Sequence, residues 1–221
     1  MKIIIEDIIK SIAPQLHIIT IEADVINSET PNAFWKELAD EASRISSTYA
    51  ISDINKRPGI VATRAAYKAL GKEPNRYRPS SEALCRRAVK GMELYRINTL
   101  VDIINLISMR SGYSIGGFDA DKIDGDILNL GAGRAEEEFE AIGRGLLNIE
   151  NLPIYRDNIG GIGTPTSDVE RTKLSIETRR LLMCINIYGE ELSHDETIAL
   201  SCNLLKKYCN AQNIIINHYQ P

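Results

Sequence analysis

The feature that most constrains the fold is a change in sequence pattern at Tyr113. Before this residue, apolar side chains recur at helical spacing in segments that begin or end at Pro and Gly. From Tyr113 to Gly189, short apolar runs alternate with Gly, Asp and Asn, a pattern typical of short strands joined by turns. A chain with helices in its first half and strands in its second half is expected to form an α+β fold.

The boundaries of the predicted elements follow from the same spacing. We expect one domain over residues 1–221, helix-rich at 1–112, strand-rich at 113–190, and closing with a helix and a strand at 191–221. Helices are predicted at 3–13, from Pro31, from Pro58 to Gly71, from Ser80 or Ser81 to Gly91, and at 97–108. A strand is predicted at 16–25, and a capping-box sequence at Ser193 precedes a helix and a last strand at 213–218.

Composition excludes several classes of protein. With 221 residues, 43% of them hydrophobic, the chain can bury a substantial core, which excludes a disordered protein. The four cysteines form no pair and do not cluster with the three histidines, so no metal site, disulfide or cofactor is predicted. No apolar run approaches the roughly 18 residues of a membrane span, and the N-terminal run carries acids and no cleavage site, so we expect a cytoplasmic protein.

The net charge of −4 hides a strong local asymmetry. Between Lys56 and Arg96, eleven basic residues stand against three acidic ones, a local charge of +8. Such a segment on an acidic protein is typical of a polyanionic partner, and seven of the eleven are arginines, which bind phosphates bidentately and stack on bases. The alternative is that these side chains only solvate two helices. The candidate RNA-binding residues are Arg64, Arg76, Arg78, Arg86 and Arg87.

Three short motifs could carry chemistry. The acidic run at 119–126 lacks the Gly and Glu that a calcium loop requires and is interpreted as a solvated turn. The glycine-rich run at 160–168 lacks a phosphate-binding lysine, so it is either a turn or the lining of a site. Arg78, just before a predicted helix, either seats a phosphate or is solvated beside a helix cap. No serine nucleophile motif is present, and each histidine is interpreted as structural.

Two stretches together resemble a known family. Residues 101–105 read Val-Asp-Ile-Ile-Asn and residues 118–123 read Phe-Asp-Ala-Asp-Lys-Ile. This combination, with the glycine loop at 160–163 and the following Ser-Asp-Val, resembles the B3/B4 domain of the bacterial phenylalanyl-tRNA synthetase β subunit. The runs at 78–82 and 163–168 are similar to those of its free-standing branch. The resemblance extends from Arg57 to Gly189.

The resemblance implies a B3/B4-like α+β domain with a β-sandwich-containing sheet region flanked by helices and a cleft between its halves. In the synthetase this domain hydrolyses tyrosine that has been esterified to the wrong tRNA. The family's pocket asparagine corresponds to Asn105, and its pocket glutamate corresponds to Glu177 across a short gap. The family's pocket histidine is replaced by Gly116. Its glycine loop corresponds to Gly160, Gly161 and Gly163.

These correspondences suggest a trans-acting hydrolase of mischarged aminoacyl-tRNA, with the amino-acid moiety in the cleft, RNA rather than DNA as partner, and no cofactor. Asn105 is expected to orient water and the backbone at Gly163 to stabilise the oxyanion. Glu177 or Asp168 is expected to read the amino acid. Gly160, Gly161, Thr164 and Gly116 complete the predicted substrate-binding set. Two alternatives stay open: a non-catalytic tRNA- or amino-acid-binding module, and a small-molecule binding protein that does not contact RNA.

Overall fold

The computed structural model describes all 221 residues and contains six helices. They are α1 (Asp7–Ile12), α2 (Asn32–Thr48), α3 (Pro58–Ala69), α4 (Ser80–Val89), α5 (Thr99–Ser111) and α6 (His194–Cys209). The last five confirm the helices predicted from spacing, to within a few residues at the ends. The ends of α5 show why: the Asn98 side chain accepts a hydrogen bond from the Val101 amide at 3.1 Å, and Gly112 ends the helix in the left-handed conformation.

Ten strands complete the structure. They are β1 (Lys2–Ile5), β2 (His17–Asp24), β3 (Ser114–Asp119), β4 (Ile127–Ala132), β5 (Glu140–Ala141), β6 (Gly145–Leu146), β7 (Pro153–Arg156), β8 (Gly161–Gly163), β9 (Arg180–Ile187) and β10 (Gln212–Tyr219). One sheet has the order β1-β4-β7-β8, the second has the order β10-β2-β9-β3, and β5 pairs with β6 as a small hairpin. This confirms the predicted α+β class and the strands expected at 16–25 and 213–218.

The single helix predicted at 3–13 is confirmed only over α1, at Asp7–Ile12, and its start is wrong. Residues 2–5 form β1, which pairs in parallel with β4, so that Ile3 lies opposite Leu128 and Ile5 opposite Leu130. Ile3 and Ile5 are buried and Ile4 between them is exposed, which is the alternation of a strand. The short run of isoleucines and acids fits both the helical period and the strand period, and only pairing with the distant strand β4 decides between them.

The two four-stranded sheets pack face to face. Strands β2 and β9 are buried on both sides: Ile18 and Leu182 point to the core shared with the first sheet, whereas Ile19 and Met183 point to the helices. The Tyr155 hydroxyl donates a hydrogen bond of 2.6 Å to Asn186 Oδ1 between the sheets. Helices α2, α5 and α6 pack on the outer side of the second sheet, α1 contacts β4 of the first sheet, and α5 lies against β3.

Two further observations concern membrane-spanning helices and the cysteines. No helix in the molecule has the length and apolar character needed to cross a membrane. All four cysteines are free thiols, and no group of three His, Cys, Asp or Glu side chains is arranged to hold a metal ion.

Candidate functional site

A cleft of about 420 Å³ opens between α5, β3 and the loop that follows β8. Its apolar wall is formed by aliphatic side chains of α5, β3 and the chain before β9, and its polar rim by hydroxyl, amide and charged groups. The apolar members are Ile97, Val101, Ile104, Ile115, Ile142 and Leu174; the polar members include Asn105, Ser108, Thr164 and Ser167; the charged members are Arg144, Asp168 and Lys173. The structure thus brings the predicted residues Asn105, Thr164 and Asp168 together.

Asn105 is held on a rigid helix and its side chain is free to bind a ligand. It is partly buried, and its amide makes no hydrogen bond to another protein group. Ser108, almost one turn later, lines the same cleft. Asp102, three residues before Asn105, lies in the interior, where it accepts hydrogen bonds from the Thr30 hydroxyl and, at 3.3 Å, from the Ile97 amide. Asn105 therefore presents its side-chain amide to the cleft.

Asp168 is the only acidic residue that lines the cleft. Its carboxyl accepts one hydrogen bond, from the Gly117 amide at 3.2 Å, and no basic side chain pairs with it. Burial therefore raises the pKa of this carboxyl to about 7, and the Gly117 hydrogen bond offsets only part of that effect. An unpaired carboxylate in a partly apolar cleft is suited to bind a small cation such as an ammonium group.

Two glycines create the space that Asp168 occupies. A Cβ atom on Gly163 would lie 2.5 Å from Cζ of Phe118 and 2.7 Å from Oδ1 of Asp168. A Cβ atom on Gly116 would lie 2.7 Å from the same Phe118 atom. Any side chain at either position therefore has to displace the phenylalanine ring. Gly116 packs behind the cleft, and the cleft has no imidazole at the position of the family's histidine.

The remainder of the glycine loop serves the fold. The Gly160 amide donates to Asp157 Oδ1 at 3.0 Å, and a Cβ on Gly161 would lie 2.4 Å from Ile154 Cδ1. Both glycines border a different, polar pocket beside β7. In the loop after β8, the Thr164 amide donates to the Ser167 carbonyl at 2.9 Å, and the Thr164 hydroxyl accepts from the amides of residues 166 and 167. These amides are consequently not available to an oxyanion.

The structure does not bring Glu177 to the cleft. Residues 175–178 form a turn in which the Ser175 amide donates to the Thr178 hydroxyl at 2.9 Å. Thr178 is buried, whereas Glu177 is exposed. Asp168 is thus the acid that the cleft offers to a ligand.

A second groove, of about 560 Å³, runs from the cleft along α4. Four residues line both cavities, so the two are continuous: Ser80, Ile97, Asn105 and Arg144. Five basic residues line the groove and no acidic residue does; they are Arg78, Arg86, Arg87, Lys90 and Arg144. A concave surface with cations of one sign concentrates a positive potential, as expected for a polyanion site.

The predicted RNA-binding arginines divide into two sets. Arg78, Arg86 and Arg87 line the groove. Arg64 lies outside it, where it donates to the buried Glu82 at 2.8 Å and to Asn75 Oδ1 at 2.7 Å. The second set also contains Arg76, which is exposed, with its guanidinium 5.5 Å from the centre of the Tyr77 ring.

Sequence reasoning missed two basic residues of this site. Arg144 lies beside the β5–β6 hairpin and Lys173 precedes β9, both far from the basic segment in sequence. Arg144 is an isolated cation between two glycines, and Lys173 stands in a mixed-charge stretch with Glu170 and Arg171; neither pattern indicates a binding site. Only the folded chain places Arg144 where the cleft and the groove meet.

The fold and the site define a class: an α+β protein with a two-sheet sandwich, a small cleft at its edge and a basic groove leading into it. The chain belongs to the B3/4 domain family, because the model of that family matches residues 62–200, more than half of the chain. This match confirms the resemblance found in the motifs.

Among solved structures, the chain is similar to an N-terminal fragment of the phenylalanyl-tRNA synthetase β-subunit from Pyrococcus horikoshii. The two share 11% identity with a TM-score of 0.49, and the match covers all of this chain and 54% of that one. The chain therefore spans about half the length of that fragment. A comparison with curated proteins gives no match.

Proposed function

We propose that the chain hydrolyses the ester bond between an amino acid and a tRNA, as a trans-acting editing enzyme. The observation that carries this proposal is the continuity of the small cleft with the basic groove through Asn105 and Arg144. An aminoacyl-tRNA has the matching form, a small acyl group at the end of a polyanion. The similarity of the motifs to the editing domain of the synthetase supports the same function.

The cleft offers a separate partner for each part of an aminoacyl group. The apolar wall at Ile104 and Leu174 fits an aliphatic or aromatic side chain. The Asp168 carboxylate is the partner of the α-amino group. Arg144 stands at the rim, where a positive charge stabilises the oxygen that becomes negative as water adds to the carbonyl. Lys173 also lines the cleft, and its ammonium pairs with Glu170 at 2.5 Å.

The reaction needs little more than correct placement. Water attacks the ester carbonyl carbon, the bond from that carbon to the ribose oxygen breaks, and the proton of the water is taken up by the ribose oxygen. Asn105 is proposed to hold the water through its free amide. Because the amides of residues 164, 166 and 167 are engaged, the charge on the tetrahedral intermediate is assigned to Arg144, and the part of Gly163 is to leave room for Asp168.

The test is the deacylation of a panel of mischarged tRNAs. Asn105→Ala is expected to slow deacylation about tenfold to a hundredfold, since a misplaced reacting group costs rates of this order. Asn158→Ala, which removes an exposed asparagine amide outside the cleft, is the matched control and is expected to act at the wild-type rate. If no ester in the panel is cleaved above background, the hydrolase proposal fails.

A second candidate is a non-catalytic module that binds aminoacyl-tRNA. It is favoured by the absence of any histidine from the cleft, because the three histidines of the chain lie together elsewhere. The two candidates separate in one assay: the module binds a non-hydrolysable aminoacyl-tRNA analogue more tightly than the uncharged tRNA but does not release amino acid from the ester.

A further inference from the structure

The segment between α4 and α5 presents a fixed aromatic ring to the basic groove. Its residues alternate in direction: Leu94 packs against the core, and the Arg96 guanidinium donates to Thr30 O and, at 2.9 Å, to Asn32 Oδ1. The residues between and after these anchors point outward. Tyr95 is 65% exposed and Ile97 is 56% exposed, and both line the groove. The Tyr95 ring is therefore held in the groove with most of its surface open to a ligand.

Arg87 completes a stacking surface with this ring. Its Nε donates to the Glu93 carbonyl at 2.5 Å, which orients the side chain, and its guanidinium carbon lies 4.1 Å from the centre of the Tyr95 ring. A guanidinium on one side of a tyrosine leaves the other side open. Aromatic and guanidinium planes are the surfaces on which proteins stack unpaired bases.

The remaining groove residues fit the sugar–phosphate chain. Arg78, Lys90 and Arg144 line the same groove as the ring, all three are exposed, and no acidic residue lines the groove. The groove carries an exposed ring, which suits a single strand with bases open to stacking, whereas a duplex keeps its bases stacked inside and away from the ring. An acidic peptide fits the cations but does not require the exposed aromatic face.

We propose that the groove binds the unpaired 3′-terminal nucleotides of an RNA, with one base stacked on Tyr95 beside Arg87. The inference rests on the proposed function in one respect: the strand then leads past Arg144 and Asn105, so that its terminal ribose reaches the cleft. Tyr95 is the residue that distinguishes a single-stranded end from a duplex, and the cations contribute affinity for either.

The experiment compares two RNA hairpins with the same stem, one blunt and one with four unpaired 3′ nucleotides, by fluorescence anisotropy with the full chain. The wild type is expected to bind the hairpin with the overhang at least fivefold more tightly. Tyr95→Ala is expected to weaken that binding about fivefold to a hundredfold, the range for loss of one stacked base, and to leave the blunt hairpin unaffected. Tyr95→Phe keeps the ring and is expected to retain the preference.

Ile215→Ala is the matched control, because it removes an exposed apolar side chain from β10, away from the groove. Equal binding of the two hairpins by the wild type, or an undiminished preference in Tyr95→Ala, overturns the proposal. Displacement of the overhang RNA by polyglutamate at equal charge concentration also overturns it and assigns the groove to acidic proteins. Failure of the hydrolase proposal is a separate result: the protein would then leave the esters intact but still prefer the hairpin with the overhang.

Discussion

Asp168 is the one acidic side chain in the cleft, and the burial of its carboxyl decides at which pH it carries a charge. An acidic group with a pKa of about 7 changes its charge within the working range of most enzymes. A carboxylate that binds an ammonium group must be ionised to do so. The packing around Gly116 and Gly163 buries Asp168, and the resulting pKa sets the pH above which its carboxylate can bind an ammonium group.

We expect kcat/KM for deacylation to fall about tenfold per pH unit below pH 7, because the protonated Asp168 does not bind the α-amino group. Asp168→Asn should lower kcat/KM and remove this step from the profile. The spontaneous, base-catalysed hydrolysis of each ester is subtracted at every pH. A wild-type profile without a step near pH 7, measured beside the variant, would assign the amino group to another partner.

The same shift has a consequence for stability. The folded-state pKa of Asp168 lies above the value of an unfolded aspartate, so the folded chain holds this proton more tightly. The stabilising contribution is therefore complete below the unfolded pKa and is lost as pH rises through 7. Asp168→Asn should consequently unfold at a higher temperature than the wild type at pH 8, by a margin that shrinks towards pH 4.

A pair of glycine substitutions tests the packing around this carboxyl. Gly163→Ala places a Cβ 2.5 Å from Phe118 and 2.7 Å from Asp168, so it should destabilise the fold by about 1–3 kcal/mol and reduce activity. Gly160→Ala is the control, because a Cβ at Gly160 meets no atom within 4 Å. Chemical denaturation measures the free energy of unfolding of both variants. Equal stability of the two variants would show that Phe118 moves aside without cost.

At the scale of single residues, the sequence identified part of the site for physical reasons. Asn105 and Asp168 lie next to specific motifs, and those motifs point to them directly. Glu177 was placed across a gap, and the direction of a side chain in a turn depends on the hydrogen bonds of that turn, here those of Ser175 and Thr178. Arg144 reaches the site only through folding of the hairpin beside it, which no local pattern predicts.

Among the elements, α4 contributes both lining residues of the groove and the buried Glu82. Three arginines converge on this carboxylate: Arg64 at 2.8 Å, Arg86 at 2.7 Å and Arg78 at 3.5 Å. The carboxylate thereby orients two of the groove arginines and neutralises part of their charge. The local charge counted from sequence is thus partly structural and partly available to a ligand.

Glu82→Gln tests whether this carboxylate holds the groove together. Breaking a buried ion pair costs about 3–5 kcal/mol, and we expect the lower end because the arginines keep some contact with water. RNA binding should weaken although the variant gains positive charge, since Arg78 and Arg86 lose their orientation. Asp40→Asn, at an exposed carboxylate on α2, is the control. Tighter RNA binding by Glu82→Gln would show that net charge outweighs orientation.

The helices were easier to predict than the sheet pairing. Amphipathic spacing and terminal signals such as Asn98 and Ser193 act within one turn, so they are visible in a local window. The parallel pairing of β1 with β4 joins residues more than a hundred positions apart. The start of the run at 3–13 shows this difference: its local pattern fitted a helix, whereas pairing with the distant strand β4 makes residues 2–5 a strand.

At the scale of the whole molecule, the sandwich brings the two ends of the chain together. His17 at the start of β2, His194 at the start of α6 and His218 near the end of β10 form one cluster, with ring centres of His17 and His194 4.1 Å apart. His17 Nε2 lies 2.8 Å from His218 Nδ1, and Gln220 Nε2 lies 2.8 Å from His17 Nδ1. Each histidine stands alone in sequence, and therefore the cluster could not be predicted.

This cluster predicts a loss of stability in mild acid. Burial, followed by the charges of His194 and His218, lowers the pKa of His17, and the only carboxylate in ion-pair range of the cluster is Glu190, 3.6 Å from His194 Nε2. A group with a lowered pKa binds fewer protons when folded, so its contribution is present above about 6.5, the ordinary pKa of histidine, and is lost as pH falls below that value. The thermal midpoint of the wild type should therefore drop between pH 7 and pH 5.

His17→Gln removes the titrating group, and its thermal midpoint should drop less over the same pH interval, while carboxylates elsewhere titrate equally in both proteins. Equal losses in the two proteins would place the acid sensitivity outside the cluster, whereas a smaller loss in the variant means that protonation of His17 loosens the joint between β2, β10 and α6.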